Sequence, residues 1–222
     1  MKGDDLRQER TQRGRDDLVT RRREMLVVGE ERARPFERHG LEFSMHLLTE
    51  LDKRALSPAE AAACAAFLNF AASGADVFSR ARPDGHFTAS CWLVSSDGER
   101  VLLTHHRKLG RWLQLGGHAD DDSDLAAVCL REAQEESGIA GLEVEAQVFD
   151  IDAHAIPSRA LESAHTHWDV RFVVHCRDSE RWELSDESLA LAWKPIVELA
   201  VDPAADASLR RMAHKWLLRS AR

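Results

Sequence analysis

With 222 residues, 44% of them hydrophobic and 31% charged, the chain carries enough apolar material for one domain with a substantial core. A formal net charge of -8 argues against a protein that grips a nucleic-acid polymer, and phosphate chemistry on so acidic a chain calls for metal ions as intermediaries. No apolar run reaches the ~18 residues of a membrane span and the N-terminus lacks the apolar stretch of a signal peptide, so a cytoplasmic protein with no membrane partner is expected.

Residues 1–43 read as a charged extension: positions 1 to 40 hold 11 Lys and Arg and 9 Asp and Glu, with no helical or strand period before Met25. Residues 44–84 read as a helical segment. Leu47, Leu48 and Leu51 mark a short amphipathic helix. "SPAEAAACAAFLNFA" then opens a second, with Ser57 as N-cap, Pro58 at N1 and Glu60 at N3. These helices suit a packing or dimer role better than that of a lid. The four cysteines, Cys64, Cys91, Cys129 and Cys176, are too widely spaced for a zinc site or a disulfide framework and read as buried thiols.

Residues 85–222 carry alternating strand and helix signals. "FTASCWLVSS", a turn at Asp97 to Arg100 and "VLLTHH" read as a hairpin. "GLEVEAQVFDIDAHAI" and "HTHWDVRFVVHC" read as strands, and in the latter His165, His167 and Asp169 fall on one face with Trp168 opposite. Leu209, Met212, Ala213, Trp216 and Leu217 keep helical spacing near the end. Strands flanking a central helix, with another helix at the end, indicate an α/β (α+β) layered domain.

That central helix is chemically the most pointed part of the chain. It spans roughly Asp124 to Ser137, with Asp122 and Ser123 as N-cap candidates and Gly138 as its stop. Ala126, Cys129, Leu130 and Ala133 form its apolar stripe, and Glu132, Glu135 and Glu136 lie at the rim of that stripe, three carboxylates at i, i+3 and i+4. Like charges so placed repel unless something positive sits among them. Upstream, "WLQLGGHAD" supplies two glycines that let backbone approach a ligand and aim a carbonyl. Carboxylates plus a carbonyl make an all-oxygen site for a hard cation, Mg²⁺ or Mn²⁺.

The pattern resembles the Nudix box, G-x5-E-x7-R-E-U-x-E-E-x-G-U. Gly117, Arg131, Glu132, Glu135, Glu136, Gly138 and Ile139 stand in register, and Trp112, Gly116 and Gly117 match the W-x-x-P-G-G run that often precedes it. Ser123 replaces the first glutamate, Leu115 the proline, and Ala133 is a small version of the aliphatic residue. The resemblance covers about residues 86 to 200, including "WKPIVEL". It implies a Nudix-type α/β/α sandwich with a mixed sheet, preceded here by the short helical segment, and a pyrophosphohydrolase that splits the diphosphate linkage of a nucleoside diphosphate derivative such as a nucleoside triphosphate, ADP-ribose or a nucleotide sugar. It further implies that Glu135 and Glu136 with the Gly116 carbonyl hold Mg²⁺ or Mn²⁺, that Glu132 is a further ligand or the general base, oriented by Arg131, and that Glu132 is the first choice of base, followed by Glu162 and Asp169. Relatives are often homodimers.

Among the histidines His105, His106, His118, His154, His165 and His167, the residues His118, His165 and His167, with Trp112 and Asp169, are candidates for substrate binding; the histidines are also able to ligate a softer metal. Two other functions fit the pattern less well. A ligand-sensing module without turnover usually loses the metal glutamates that are retained here. An isomerase similar to the isopentenyl diphosphate isomerases would carry Cys-Gly-His where this chain has Gly116, Gly117 and His118.

Overall fold

In the computed structural model the described residues are 58–74, 76–158, 163–186 and 188–220. The charged extension, the helix around Leu47 to Leu51, the Ser57 cap and Glu162 lie outside them. Helix α1 runs Pro58–Ala71 and is followed by β1 (Gly85–Val94), β2 (Arg100–His106), β3 (Trp112–Leu113) and β4 (Leu115–His118). Next come α2 (Leu125–Ser137), β5 (Leu142–Ile156), β6 (His165–Cys176), β7 (Ser188–Pro195), α3 (Ile196–Val201) and α4 (Ala207–Ser220).

The strands form one mixed seven-stranded sheet in the order β3-β2-β1-β6-β5, with β4 also pairing β1 and β7 pairing β2. All ten residues of β1 are buried, as expected of a strand covered on both faces. Alternation then sends Phe87, Ala89, Cys91 and Leu93 into one core layer with α1 and α2. Trp92 and Val94 go into the other, against Leu199 of α3 and Leu209, Met212 and Trp216 of α4. The α/β/α sandwich expected from the sequence is thus the observed architecture.

The β1–β2 hairpin is present only at its base. Its turn is closed by Ser95 N–H to Arg100 O and Gly98 N–H to Ser95 O at 3.0 and 2.9 Å, with Gly98 at φ +73°. Asp97 accepts from the Ser95 hydroxyl and then the Glu99 N–H, which hold its carboxyl down to about 2. Beyond the pair Val94↔Val101 the two strands part: β1 runs antiparallel to β4 and parallel to β6, while β2 turns to β7 and β3. The sheet is therefore split, and the split leaves a cleft.

Helix α1 is built into the core. Phe70 stacks on Trp168 with ring centroids 4.6 Å apart, and Phe67 meets the same indole edge-on at 5.1 Å. Trp168 is thus turned away from the histidine face of β6, as the alternation requires. All four cysteines are buried and none is joined in a disulfide.

Candidate functional site

Helix α2 begins one residue later than the sequence suggests. Asp124 is the N-cap, its carboxylate accepting from the Ala127 N–H at 3.0 Å, while Asp122 accepts from the Asp124 N–H at 2.9 Å. Ser123, at the position of the missing first glutamate, does not cap the helix; burial of Leu125 at the first helical position fixes the start. Gly138 closes the helix in the left-handed conformation at φ 68°, its N–H bonded to Gln134 O. The fully buried stripe is Leu125, Val128, Cys129, Ala133 and Ser137, with Ala126 and Leu130 at its edge, so the helix is rolled slightly from the expected face.

The roll lays the glutamates against the glycine loop. Glu136 Oε1 accepts from the Gly116 N–H at 2.9 Å, tying helix to loop. The Glu132 carboxylate lies flat on Gly117, where a Cβ would come within 2.4 Å of Oε2. Gly116, at φ +155°, has no room either: a Cβ there would meet Ser90 Oγ and the Ala89 carbonyl at 2.5 and 2.6 Å. Arg131 Nη2 donates to Glu132 Oε1 at 3.2 Å and to the His118 carbonyl at 3.4 Å. Glu135 is exposed on the same side.

The glycine loop, Glu132 and Glu135 line a cavity of about 520 Å³ in the split between β1 and β2, while Glu136 and Arg131 support it from behind without lining it. Gly116, Gly117, His118, Glu132 and Glu135 form one wall; Thr88, Ser90, His154, His167 and Asp169 form the floor; Arg80, His106 and Lys108 also line it. The donor chemistry fits a hard divalent cation: carboxylates beside a glycine loop, in a cavity that basic residues also line. Arg80 is itself paired with Asp120 at 2.6 Å.

Asp169 is committed to the scaffold. Oδ1 accepts from the Thr88 and Ser90 hydroxyls at 3.0 and 2.8 Å, and Oδ2 from Arg171 Nε at 2.7 Å. Arg171 is buried with Asp150 and Asp152 also within 3.3 and 3.2 Å, and Arg211 and Lys215 close the network from α4. Burial by itself would raise the Asp152 carboxyl, but His154, Arg171 and Arg211 pull it far below the usual carboxylate range.

Two candidates lie elsewhere. Trp112 lines a separate cavity of about 600 Å³ with His105, Arg111 and Lys194, whose ammonium sits 4.6 Å from the indole centroid. His165 is buried behind the floor, its ring 5.0 Å from that of His86. His86 itself was not legible as a site residue. Its only sequence signal is that His86, Thr88 and Ser90 put polar groups at alternate positions of an otherwise apolar strand. His167 is pushed down to about 3, first by burial and then by the neighbouring imidazoles of His118, His86, His154 and His165.

Three solved structures illustrate what the fold is similar to. The MutT protein from Methanosarcina mazei Go1 aligns over 64% of this chain and 99% of its own, at 16% identity and a TM-score of 0.50. A NUDIX-family hydrolase from Clostridium perfringens covers 60% and 97% at 21% identity and a TM-score of 0.46. The dihydroneopterin triphosphate pyrophosphohydrolase of E. coli covers 62% and 97% at 18% identity and a TM-score of 0.48. No curated protein matches the chain by sequence. The NUDIX domain family model matches residues 85–216, more than half of the chain and all of the glycine loop and glutamate helix just described, and the protein belongs to the NUDIX domain family.

Proposed function

We propose that the protein is a metal-dependent hydrolase that cleaves the diphosphate linkage of a nucleotide-type compound, with Glu132, Glu135, Glu136 and the Gly116 carbonyl holding Mg²⁺ or Mn²⁺. The observation that carries this reading is the seating of the Glu132 carboxylate on Gly117, at the wall of a 520 Å³ cavity that Glu135 also lines. When bound, the divalent ion supplies charge neutralisation for the diphosphate and acidifies a water. Glu132 accepts the proton of the attacking water, and Arg131 fixes its orientation from 3.2 Å. Glu136, bonded to the Gly116 N–H, keeps the loop at a fixed distance from the helix. Lys108 and Arg80 also line the cavity, where positive charge favours the charge-rich transition state. The cavity volume lies in the range of small-molecule sites and suits a mononucleotide or a nucleoside diphosphate derivative.

The test is release of phosphate or nucleoside monophosphate from a panel of nucleoside triphosphates, ADP-ribose, nucleotide sugars and dinucleotide polyphosphates with Mg²⁺ or Mn²⁺. Turnover that needs the metal and is lost in Glu132→Gln and Glu136→Gln supports the hydrolase and names its substrate class. Metal-dependent binding of a panel compound without turnover transfers the site to ligand sensing.

A further inference from the structure

We propose that His86, His118 and His167 form a three-imidazole site for a borderline divalent transition-metal ion of the zinc class, with a remaining coordination position open to the cavity. The site is separate in its ligands from the carboxylates of α2 and does not depend on the hydrolytic reading.

The three residues come from three strands, and the sheet register brings them together. His86 of β1 pairs directly with His167 of β6 in the parallel ladder, and Thr88, two positions on, pairs with His118 at the end of β4. All three rings lie on the same side of the sheet, with centroids 4.9 to 5.1 Å apart. One ring nitrogen from each falls within 4.8 Å of the other two, and among the described residues this is the one group of three or more His, Cys, Asp or Glu side chains whose donor atoms converge so closely. Three nitrogens bound to one Zn²⁺ at about 2.0–2.1 Å in tetrahedral geometry stand roughly 3.3 Å apart, so small ring rotations close the site.

The surroundings favour an ion over plain packing. His167 Nε2 is buried with no hydrogen-bond partner, a cost that an imidazole in a packed floor would normally avoid by a different rotamer. Asp152 lies 3.6 Å from His154 Nδ1, whose ring abuts His167, and His165 Nδ1–H donates to the Ser163 carbonyl at 2.9 Å. These partners hold the His154 and His165 rings in place against His167 and His86. Donor type decides the ion: neutral imidazole nitrogens suit Zn²⁺, Co²⁺ or Ni²⁺, whereas Mg²⁺ prefers the oxygens of the glutamates. His118 and His167 both line the cavity, so a water or an anionic oxygen bound there can complete the shell.

The experiment uses the full chain, stripped with a chelator and titrated with Co²⁺ while the visible ligand-field bands are recorded, followed by displacement with Zn²⁺. One equivalent of Co²⁺ giving intense tetrahedral bands is expected, reversed by Zn²⁺ and untouched by excess Mg²⁺. His118→Ala and His167→Ala lose the bands, and the milder His167→Gln, checked for native circular dichroism, loses them too; Glu135→Gln and Glu136→Gln keep them. Absence of the bands in the wild type overturns the site. So does their survival in folded His167→Gln, or their loss in Glu135→Gln alone, which would locate the ion on α2.

Discussion

The Glu132 carboxylate rests on the Cα of Gly117, with no space between them for a methyl group. Because the nearest atoms a methyl group would meet are the tip of the Glu132 side chain, Gly117→Ala is a probe of positioning. The substitution pushes Glu132 off the cavity wall while leaving the core intact. Misplacing a reacting group by about 1 Å costs on the order of 100-fold in rate, so kcat for phosphate release drops by about that factor with Tm little changed. Unaltered kcat would mean that Glu132 does not act from this position.

The floor of the site is tied to the protein's stability through Arg171. Its guanidinium reaches Asp169, Asp150 and Asp152, and the side chains of Arg171, Asp169 and Asp150 are almost wholly buried. Arg171→Met leaves buried carboxylates short of a partner and lowers unfolding free energy by about 3–5 kcal/mol. Urea denaturation measures this directly, and a loss below about 1 kcal/mol would show that Arg211 and Lys215 suffice to neutralise the cluster.

Although Phe67 lies outside the family's matched span of residues 85–216, it is 1% exposed and packs edge-on against Trp168. Phe67→Ala should therefore cost about 3–5 kcal/mol, as for a core aromatic. A cost under about 1 kcal/mol in the same denaturation experiment would make α1 an accessory helix.

Acid should destabilise the metal-free protein in two stages. His167 is held down to about 3 in the folded state against 6.5 when unfolded, so the unfolded chain takes up a proton the folded chain refuses. Stability falls as pH drops from 6.5 toward 3. Asp152 has a depressed carboxyl, so its contribution is present above the ordinary value of 3.8 and is lost as pH falls below it. Tm measured against pH in chelator checks both, and His167→Gln should flatten only the upper stage. A wild-type Tm independent of pH across the upper interval would contradict the account of His167.

The central helix and the long strands were legible because their signals are local. Gly138 can stop a helix by itself, and the alternation of "HTHWDVRFVVHC" sorts its residues onto two faces without any knowledge of partners. The start of α2 was harder, since Asp122, Ser123 and Asp124 are all competent caps and only the burial of Leu125 selects among them. The parting of β1 from β2 was out of reach. Turn residues at Asp97 to Arg100 close the hairpin's base, but β4, β6 and β7, distant in sequence, decide what happens beyond it. For the same reason Trp112, next to the glycine loop in sequence, ended in another cavity, and His86 escaped notice: one histidine in an apolar strand says nothing of what its ladder neighbours bring alongside.

The parallel pairing of β1 with β6 also bears on how the chain reaches this state. Thr88 and Asp169, directly opposite in the ladder, are 81 positions apart, and the whole of α2 and β5 must be accommodated between them. Contacts of such long range are formed against a large loop-closure entropy and tend to slow folding. The docking of β6 on β1 is therefore expected to be slow, and the cavity floor, which both strands supply, is expected to form no earlier than that step. Recovery of metal or nucleotide binding on refolding should then come no earlier than recovery of the sheet, which stopped-flow circular dichroism read alongside binding checks.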